Sequence, residues 1–342
     1  MYFLGDLAVN DNIVVDRDFS ENEYLVVNCE GYLNTSKSQP KFNSGVFNNV
    51  DVILSAFPKE KLILSLANNH IMDKVDGVEA TIDIAESNRL LYTGANLSLD
   101  SALKPLIVIE NGVEVALISA GWDLIGCLHA TYDSQGVFPL LRKYLMSEIN
   151  KQVEQGRKVA LFLHWGYETE MYPLPLHRNM AFEFIDAGVD IIVGCHAHCL
   201  QGYEVYNGKH IFYGIGNSAF QQGFYYEGKL NFPKYCDVGL AVNWSPINGE
   251  VMISETKFCD NKLIFSDFSC PERSVDLVQL SKFNGMNSKE YVEFFRVNRV
   301  KRKGLPVFVK KDNSLDYMIK LHYVKFRAKL IHFLFKIGIK RR

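Results

Sequence analysis

Short apolar runs recur along the chain, and each stops at a polar or glycine-containing turn. MYFL precedes Gly5-Asp6, EYLVV precedes Asn28-Cys29-Glu30-Gly31, and KLILSLA precedes Asn68-Asn69-His70. Further on, VEVALISA precedes Gly121-Trp122-Asp123, KVALFL precedes His164-Trp165-Gly166, VDIIV precedes Gly194-Cys195-His196-Ala197-His198, and HIFYGI precedes Gly216-Asn217-Ser218. Runs of this length bounded by turn residues read as buried strands. Between them, GVEATIDIAESNRLL and LHRNMAFEFIDAG space their apolar residues three and four apart, the period of a helix with one buried face. Strands alternating with helices predict an α/β fold around a buried sheet.

The pattern also divides the chain. Residues 1–250 read as one α/β domain, 251–314 as an irregular extension rich in polar and aromatic residues, and 315–342 as a basic amphipathic helix. In that helix Lys325, Lys329, His332, Lys336 and Lys340 recur at helical spacing, with Phe326, Leu330, Phe333, Leu334 and Ile337 expected on the other side. Such a helix either packs on its own domain or lies on an anionic membrane surface.

Charge sharpens this division. From Arg296 onward 15 lysines and arginines face 2 aspartates, whereas the preceding residues hold 22 basic against 37 acidic groups. The basic tail marks a surface for anionic lipid; with no accompanying RNA- or DNA-binding motif, nucleic acid is not expected as a partner. No window approaches the roughly 18 uncharged apolar residues of a membrane span. The N-terminus lacks the basic and long apolar regions of a signal peptide. Seven scattered cysteines without a CxxC pair point to reduced thiols. Cytoplasmic residence, peripheral on the inner face of the membrane, is the expectation.

The chemistry sits where the strands end. Ligands of open α/β sheets bind beyond the carboxyl ends of strands, because turns there gather side chains from distant segments. Here those ends carry Asp6, Asn28, Glu30, Asn69, His70, His164, His196 and His198. In an extended segment, residues i and i+2 point to one side, so His196 and His198 are expected to reach one centre together. Imidazoles, carboxylates and a carboxamide oxygen form a mixed nitrogen and oxygen set suited to zinc, manganese or iron.

The ordered segments GDLAVN, NCEG, LANNHIMD, YTGAN, HWGYE and GCHAHCLQGYEVYNGKHIFYGIGN resemble the motifs of the CapA family, proteins of capsule and poly-γ-glutamate synthesis with a fold similar to the calcineurin-like metallophosphoesterases. The resemblance runs from residue 3 to about residue 245 and leaves the last hundred residues outside. It implies a metallophosphoesterase-like α/β/β/α sandwich, here with a basic helical C-terminal extension. Carried over motif by motif, it implies that Asp6 is the first-strand aspartate and Glu30 the acid bridging two divalent ions. Asn69 stands as the amide ligand, and His164, His196 and His198 as the imidazole ligands. His70 then faces substrate. Two departures stand out: the family's Gly-His-His-Pro-His is Gly194-Cys195-His196-Ala197-His198 here, and Ser218 follows Gly216-Asn217 where an aromatic is commoner.

On this reading two divalent ions opposite two carboxylates leave a net positive site that favours an anionic substrate such as a phosphate ester, hydrolysed by a metal-activated hydroxide. His70, at the start of the following helix, would act as acid or charge stabiliser, with Asp73 orienting its ring. Asn28, Glu168 and Asn217 are expected behind the ligands or against substrate. The alternatives are a non-catalytic scaffold of a capsule-assembly machine, and an amide hydrolase using the same ions; the resemblance also makes capsule-synthesis proteins an expected partner of residues 315–342, beside the anionic membrane surface.

Overall fold

In the computed structural model, which describes residues 1–19, 22–35, 45–226, 228–300 and 304–336, two sheets stack face to face between layers of helices. The first sheet runs, in spatial order, Val14–Val15, Lys262–Phe265, Val251–Cys259, Val238–Trp244, Tyr2–Ala8, Leu25–Cys29, Leu62–Ser65 and Leu91–Thr93, with Asn217–Phe220 also paired to Tyr2–Ala8. The second runs Tyr203–Tyr206, Lys209–Phe212, Ile191–Cys195, Lys158–His164, Val113–Gly121 and Leu106–Glu110.

The unbroken apolar runs of the sequence have a plain cause: both faces of each central strand are buried, so neither alternate set of residues can be polar. Phe3, Val26 and Ile63 of the first sheet meet Leu117, Ala160, Phe162, Ile191 and Val193 of the second in the middle layer. Their neighbours Leu4, Leu25, Val27, Leu62 and Leu64 face outward, against Val50, Ile53, Val78 and Ile82 of the helices Val50–Ala56 and Gly77–Ser87. On the other side Ile118, Leu161, Leu163 and Ile192 pack against the helices Arg142–Glu154, Pro175–Asp186 and Ser288–Asn298. This is the α/β/β/α order expected.

Tyr2–Ala8, Leu25–Cys29 and Leu62–Ser65 are mutually parallel, as are Val113–Gly121, Lys158–His164 and Ile191–Cys195, so the carboxyl ends within each sheet share one edge. Gly5 makes that edge possible. A side chain there would lie 1.8 Å from the Gly216 carbonyl oxygen, which instead accepts a hydrogen bond from the Asp6 amide at 3.1 Å.

Residues 251–314 are not irregular. Val251–Cys259 and Lys262–Phe265 extend the first sheet, while Val275–Leu280 and Ser288–Asn298 are helical, the latter closed by a capping box from Asn287 and Glu290. This region is locked to the domain by Arg178, whose guanidinium makes two 2.7 Å bonds to Glu204 and a 2.8 Å bond to the Met286 carbonyl.

The last helix, Leu315–Lys336, docks through Tyr317, Leu321 and Val324. Trp122 Nε1 donates to the Tyr317 hydroxyl at 3.0 Å, and Lys325 pairs with Asp123 at 2.9 Å. Phe326 and Leu330, expected on a packing face, are 66% and 44% exposed. They continue a stripe of exposed apolar residues from Leu315 through Ile319 and Tyr323. The helix thus has two apolar faces, and its lysines do not stand opposite a single one. The side chains of His332, Phe333, Leu334 and Lys336, and residues Ile337 and Lys340, lie outside what the structure describes. Among the described residues no helix is long and apolar enough to cross a membrane.

Candidate metal centre

The sheet edge brings together all six side chains expected to bind metal. Asp6 lies in register with Asn28 and Asn217 on its two flanking strands, and Glu30 follows the strand that carries Asn28. Asn28 Nδ2 donates to Asp6 Oδ1 at 2.7 Å and to Glu30 Oε2 at 2.8 Å, holding the two carboxylates at one depth. From the second sheet His164 closes its strand, and its Nε2 lies 2.7 Å from Asn69 Oδ1 and 3.7 Å from Glu30 Oε2. His196 Nδ1 is 3.1 Å from both Asn69 Oδ1 and His164 Nε2. His198 Nδ1 completes the other end, 3.1 Å from Asp6 Oδ2 and 2.9 Å from Asn217 Oδ1.

His196 and His198 converge by a route that strand alternation does not describe. Both follow the strand Ile191–Cys195 with left-handed backbones, φ 86° and 56°. Such conformations cost of order 1–3 kcal/mol each and persist where surrounding contacts determine them. Here the contact is Asp6, whose Oδ2 accepts from the His196 amide at 3.2 Å. The turn sends His196 toward Asn69 and His164, and His198 toward Asp6.

The electrostatics divide the cluster. Burial, reinforced by neighbouring histidines, pushes the pKa values of His164 and His196 well down, so both rings are neutral and present lone pairs. Burial also opposes charge on His198, but Asp6 outweighs it and lifts its pKa to about 10. Burial and the neighbouring Asp6 carboxylate push Glu30 up to about 7.

These residues fit divalent ions. Metal–ligand bonds of about 2.0–2.2 Å put adjacent ligands of an octahedral ion about 3 Å apart, the spacing found among Asn69 Oδ1, His164 Nε2 and His196 Nδ1. An amide oxygen and two neutral imidazoles aimed at one another lack the protons to bond mutually at every edge, and a cation among them removes the conflict. Glu30 Oε1 and Asn28 Oδ1, both fully buried, have no hydrogen-bond partner among the described residues. Glu30 Oε2 lies 3.7 Å from His164 Nε2 and shares the Asn28 amide with Asp6, so its carboxylate adjoins both the Asn69–His164–His196 group and Asp6.

Asn68 and Asn69 separate into different tasks. Asn68 Oδ1 accepts from the amides of Gly31 and His70 at 3.0 and 2.9 Å, while its Nδ2 donates to the Cys29 carbonyl at 2.7 Å. It clamps the Glu30 and Asn69 turns together. The His70 ring sits 2.8 Å from Asp73 through Nδ1, leaving Nε2 for the cavity. Burial disfavours charge on His70, but Asp73 and Glu30 outweigh it and raise its pKa. His70 precedes the helix by a whole turn segment, because that helix begins only at Gly77. Its partner is therefore a side chain and not a helix terminus. Asp73 is held by the Val46 amide at 2.9 Å and by the Tyr226 hydroxyl at 3.1 Å.

Beside these groups opens a cavity of about 580 Å³, lined by Asn69, His70, His196 and His198 together with Tyr226, Glu168 and Arg327. Glu168 is exposed there and not packed behind a ligand histidine. That place is taken by Cys195, a residue the sequence did not single out: its Sγ lies 3.3 Å from His164 Nδ1, and burial pushes its thiol well up, keeping it protonated. Tyr226 and Arg327 were likewise invisible, since nothing in their neighbourhoods resembles a strand end.

The chain is similar to proteins of capsule synthesis. The PGA biosynthesis protein CapA of Bacillus subtilis is 36% identical over 165 residues, 47% of this chain and 43% of that protein. The capsule biosynthesis protein CapA of Bacillus anthracis is 33% identical over 167 residues, 47% of this chain and 41% of that one. This chain thus matches less than half the length of either relative. Among solved structures, a hypothetical protein from Thermus thermophilus aligns over 78% of this chain and 96% of its own, with 10% identity and a TM-score of 0.39. The model of the bacterial capsule synthesis protein family PGA_cap matches residues 14–222, a segment that contains Glu30, Asn69, His70, His164, His196 and His198. With more than half of its length matched, the chain belongs to the bacterial capsule synthesis protein family PGA_cap.

Proposed function

We propose that this chain is a metal-dependent hydrolase of an anionic ester, a phosphate ester foremost, acting in the synthesis of a capsule or polyglutamate polymer. The observation that carries the reading is the 2.7–3.1 Å triangle of Asn69, His164 and His196 beside a fully buried Glu30. Divalent ions there, two of them manganese, zinc or iron, would supply Lewis acidity and lower the pKa of water. The chain's own residues do the rest. Asp6 and Glu30 balance the cationic charge, and Asn28 fixes the separation of their carboxylates. His70 Nε2 faces the cavity and delivers a proton to the leaving oxygen, with Asp73 and Tyr226 holding the ring.

The test is metal analysis of the purified protein followed by hydrolysis assays on phosphomonoester, phosphodiester and amide panels. Stoichiometric transition metal and metal-stimulated ester cleavage are expected. Metal-stimulated cleavage of amides alone would make it an amide hydrolase; the absence of both metal and hydrolysis would leave a scaffold.

A second reading concerns location, and the exposed stripe Leu315, Ile319, Tyr323, Phe326 and Leu330 favours it. Exposed Lys325 and Lys329 lie beside that stripe, and the chain after Arg296 is strongly basic. Apolar residues entering the interface while lysines meet anionic headgroups suit an acidic membrane surface. The full chain is expected to co-sediment with phosphatidylserine-containing vesicles in a salt-sensitive way, and Ile319→Glu with Phe326→Glu to abolish it. Equal binding to neutral vesicles, or by the double variant, would refute this surface and leave a protein partner as its occupant.

A further inference from the structure

One wall of the cavity above the metal centre comes from outside the family-matched segment. Leu305, Val324 and Arg327 all follow residue 222, where the match ends, yet they line the same 580 Å³ as His70, His196 and His198. The wall is held firmly. Besides the Tyr317 and Lys325 contacts, Lys320 Nζ donates to the Val307 carbonyl at 3.0 Å, tying the helix to the segment that carries Leu305.

Arg327 is the unusual member of that wall. The residue is half-buried, yet among the described residues no carboxylate forms an ion pair with it. Gly304 makes room for it: a side chain at that position, where φ is 74°, would lie 3.0 Å from Arg327 Nε. A partly desolvated guanidinium without a counter-ion is costly, and its planar fork of donors matches a carboxylate or phosphate. Leu124, Ile125, Leu305 and Val324 give the same cavity apolar lining, alongside Tyr167, Tyr226 and the carboxylate of Glu168.

Resting on the hydrolase reading above, we infer that the substrate carries two anionic groups joined by an apolar or weakly polar spacer, one at the metal centre and the other held by Arg327. The last helix is then a specificity element of this chain, and Arg327 a substrate-binding residue that takes no part in bond cleavage.

Calorimetric titration of the metal-loaded full chain tests this with two probe series: ω-phosphonoalkanoates of three to eight carbons and alkylphosphonates of equal length. At one or more lengths the carboxylate should tighten binding by about tenfold to a hundredfold, the worth of a hydrogen bond between charged groups. Arg327→Gln should erase that gain while leaving alkylphosphonate affinity unchanged, which also shows that the variant is folded. Alkylphosphonate binding with no carboxylate gain at any length, or a gain that survives Arg327→Gln, overturns the role of Arg327 alone. Failure of every phosphonate to bind the metal-loaded protein overturns the hydrolase reading and this inference with it.

Discussion

His164→Ala is expected to strip tightly held divalent metal from the purified protein and to abolish metal-stimulated hydrolysis. The His164 ring is completely buried, and its Nε2 lies within 3.7 Å of Asn69, His196 and Glu30 together. Losing even an outer partner of a metal ligand typically costs 10–100-fold in affinity. Losing the ligand itself should cost at least about 100-fold. Elemental analysis after dialysis against a weak chelator measures the effect, with the exposed His322→Ala as the control that keeps its metal. If His164→Ala retains the full metal content, the triangle is not a metal site. Cys195→Ser should act more gently, shifting affinity without emptying the site, because Cys195 touches His164 only through Nδ1.

His70→Ala is expected to behave in the opposite way, keeping its metal and losing turnover. General acid catalysis contributes about 10²–10⁴-fold, so kcat should fall by that much on esters with poor leaving groups. On nitrophenyl esters, whose leaving oxygen needs little protonation, the loss should shrink markedly. Asp73→Asn should reproduce a fraction of the same pattern, since the ring stays in place but loses the carboxylate 2.8 Å from Nδ1. A uniform loss across leaving groups would give His70 a role in binding only. Normal capsule polymer production by a strain carrying His70→Ala would favour the scaffold.

Much of this was readable in the chain because parallel strands buried on both faces leave a simple signature. An apolar run that stops abruptly at Asp6, Glu30, His164 or His196 marks the carboxyl edge of such a strand, and polar side chains there have few structural reasons to exist. Long-range partners left no such mark. Asn68 looks like its neighbour Asn69 in sequence; the family resemblance picked out Asn69, and only the bonds of Asn68 to Gly31 and Cys29 show that it is a clamp. The convergence of His196 and His198 followed from the wrong local geometry, since a left-handed turn held by Asp6 replaces the extended segment that alternation assumes.

The C-terminal part shows the same limit at a larger scale. Residues 251–314 read as irregular because strands and short helices with one buried face carry weak periodicity, although they extend a sheet and brace Arg178. The last helix was visible as a basic helix. Which of its faces touches the domain depends on Trp122 and Asp123, nearly two hundred residues earlier.

By itself, then, the sequence determined the α/β class with its buried sheet and the list of residues at the strand ends, because burial on both faces and backbone alternation are local constraints written into every few residues. The layering of two sheets was only implied by the family resemblance. Only the tertiary structure decided which backbone groups Asn68 ties together, how two histidines turn inward, and that Arg327 reaches the same cavity. Those outcomes depend on contacts between segments far apart in the chain, and no local pattern records them.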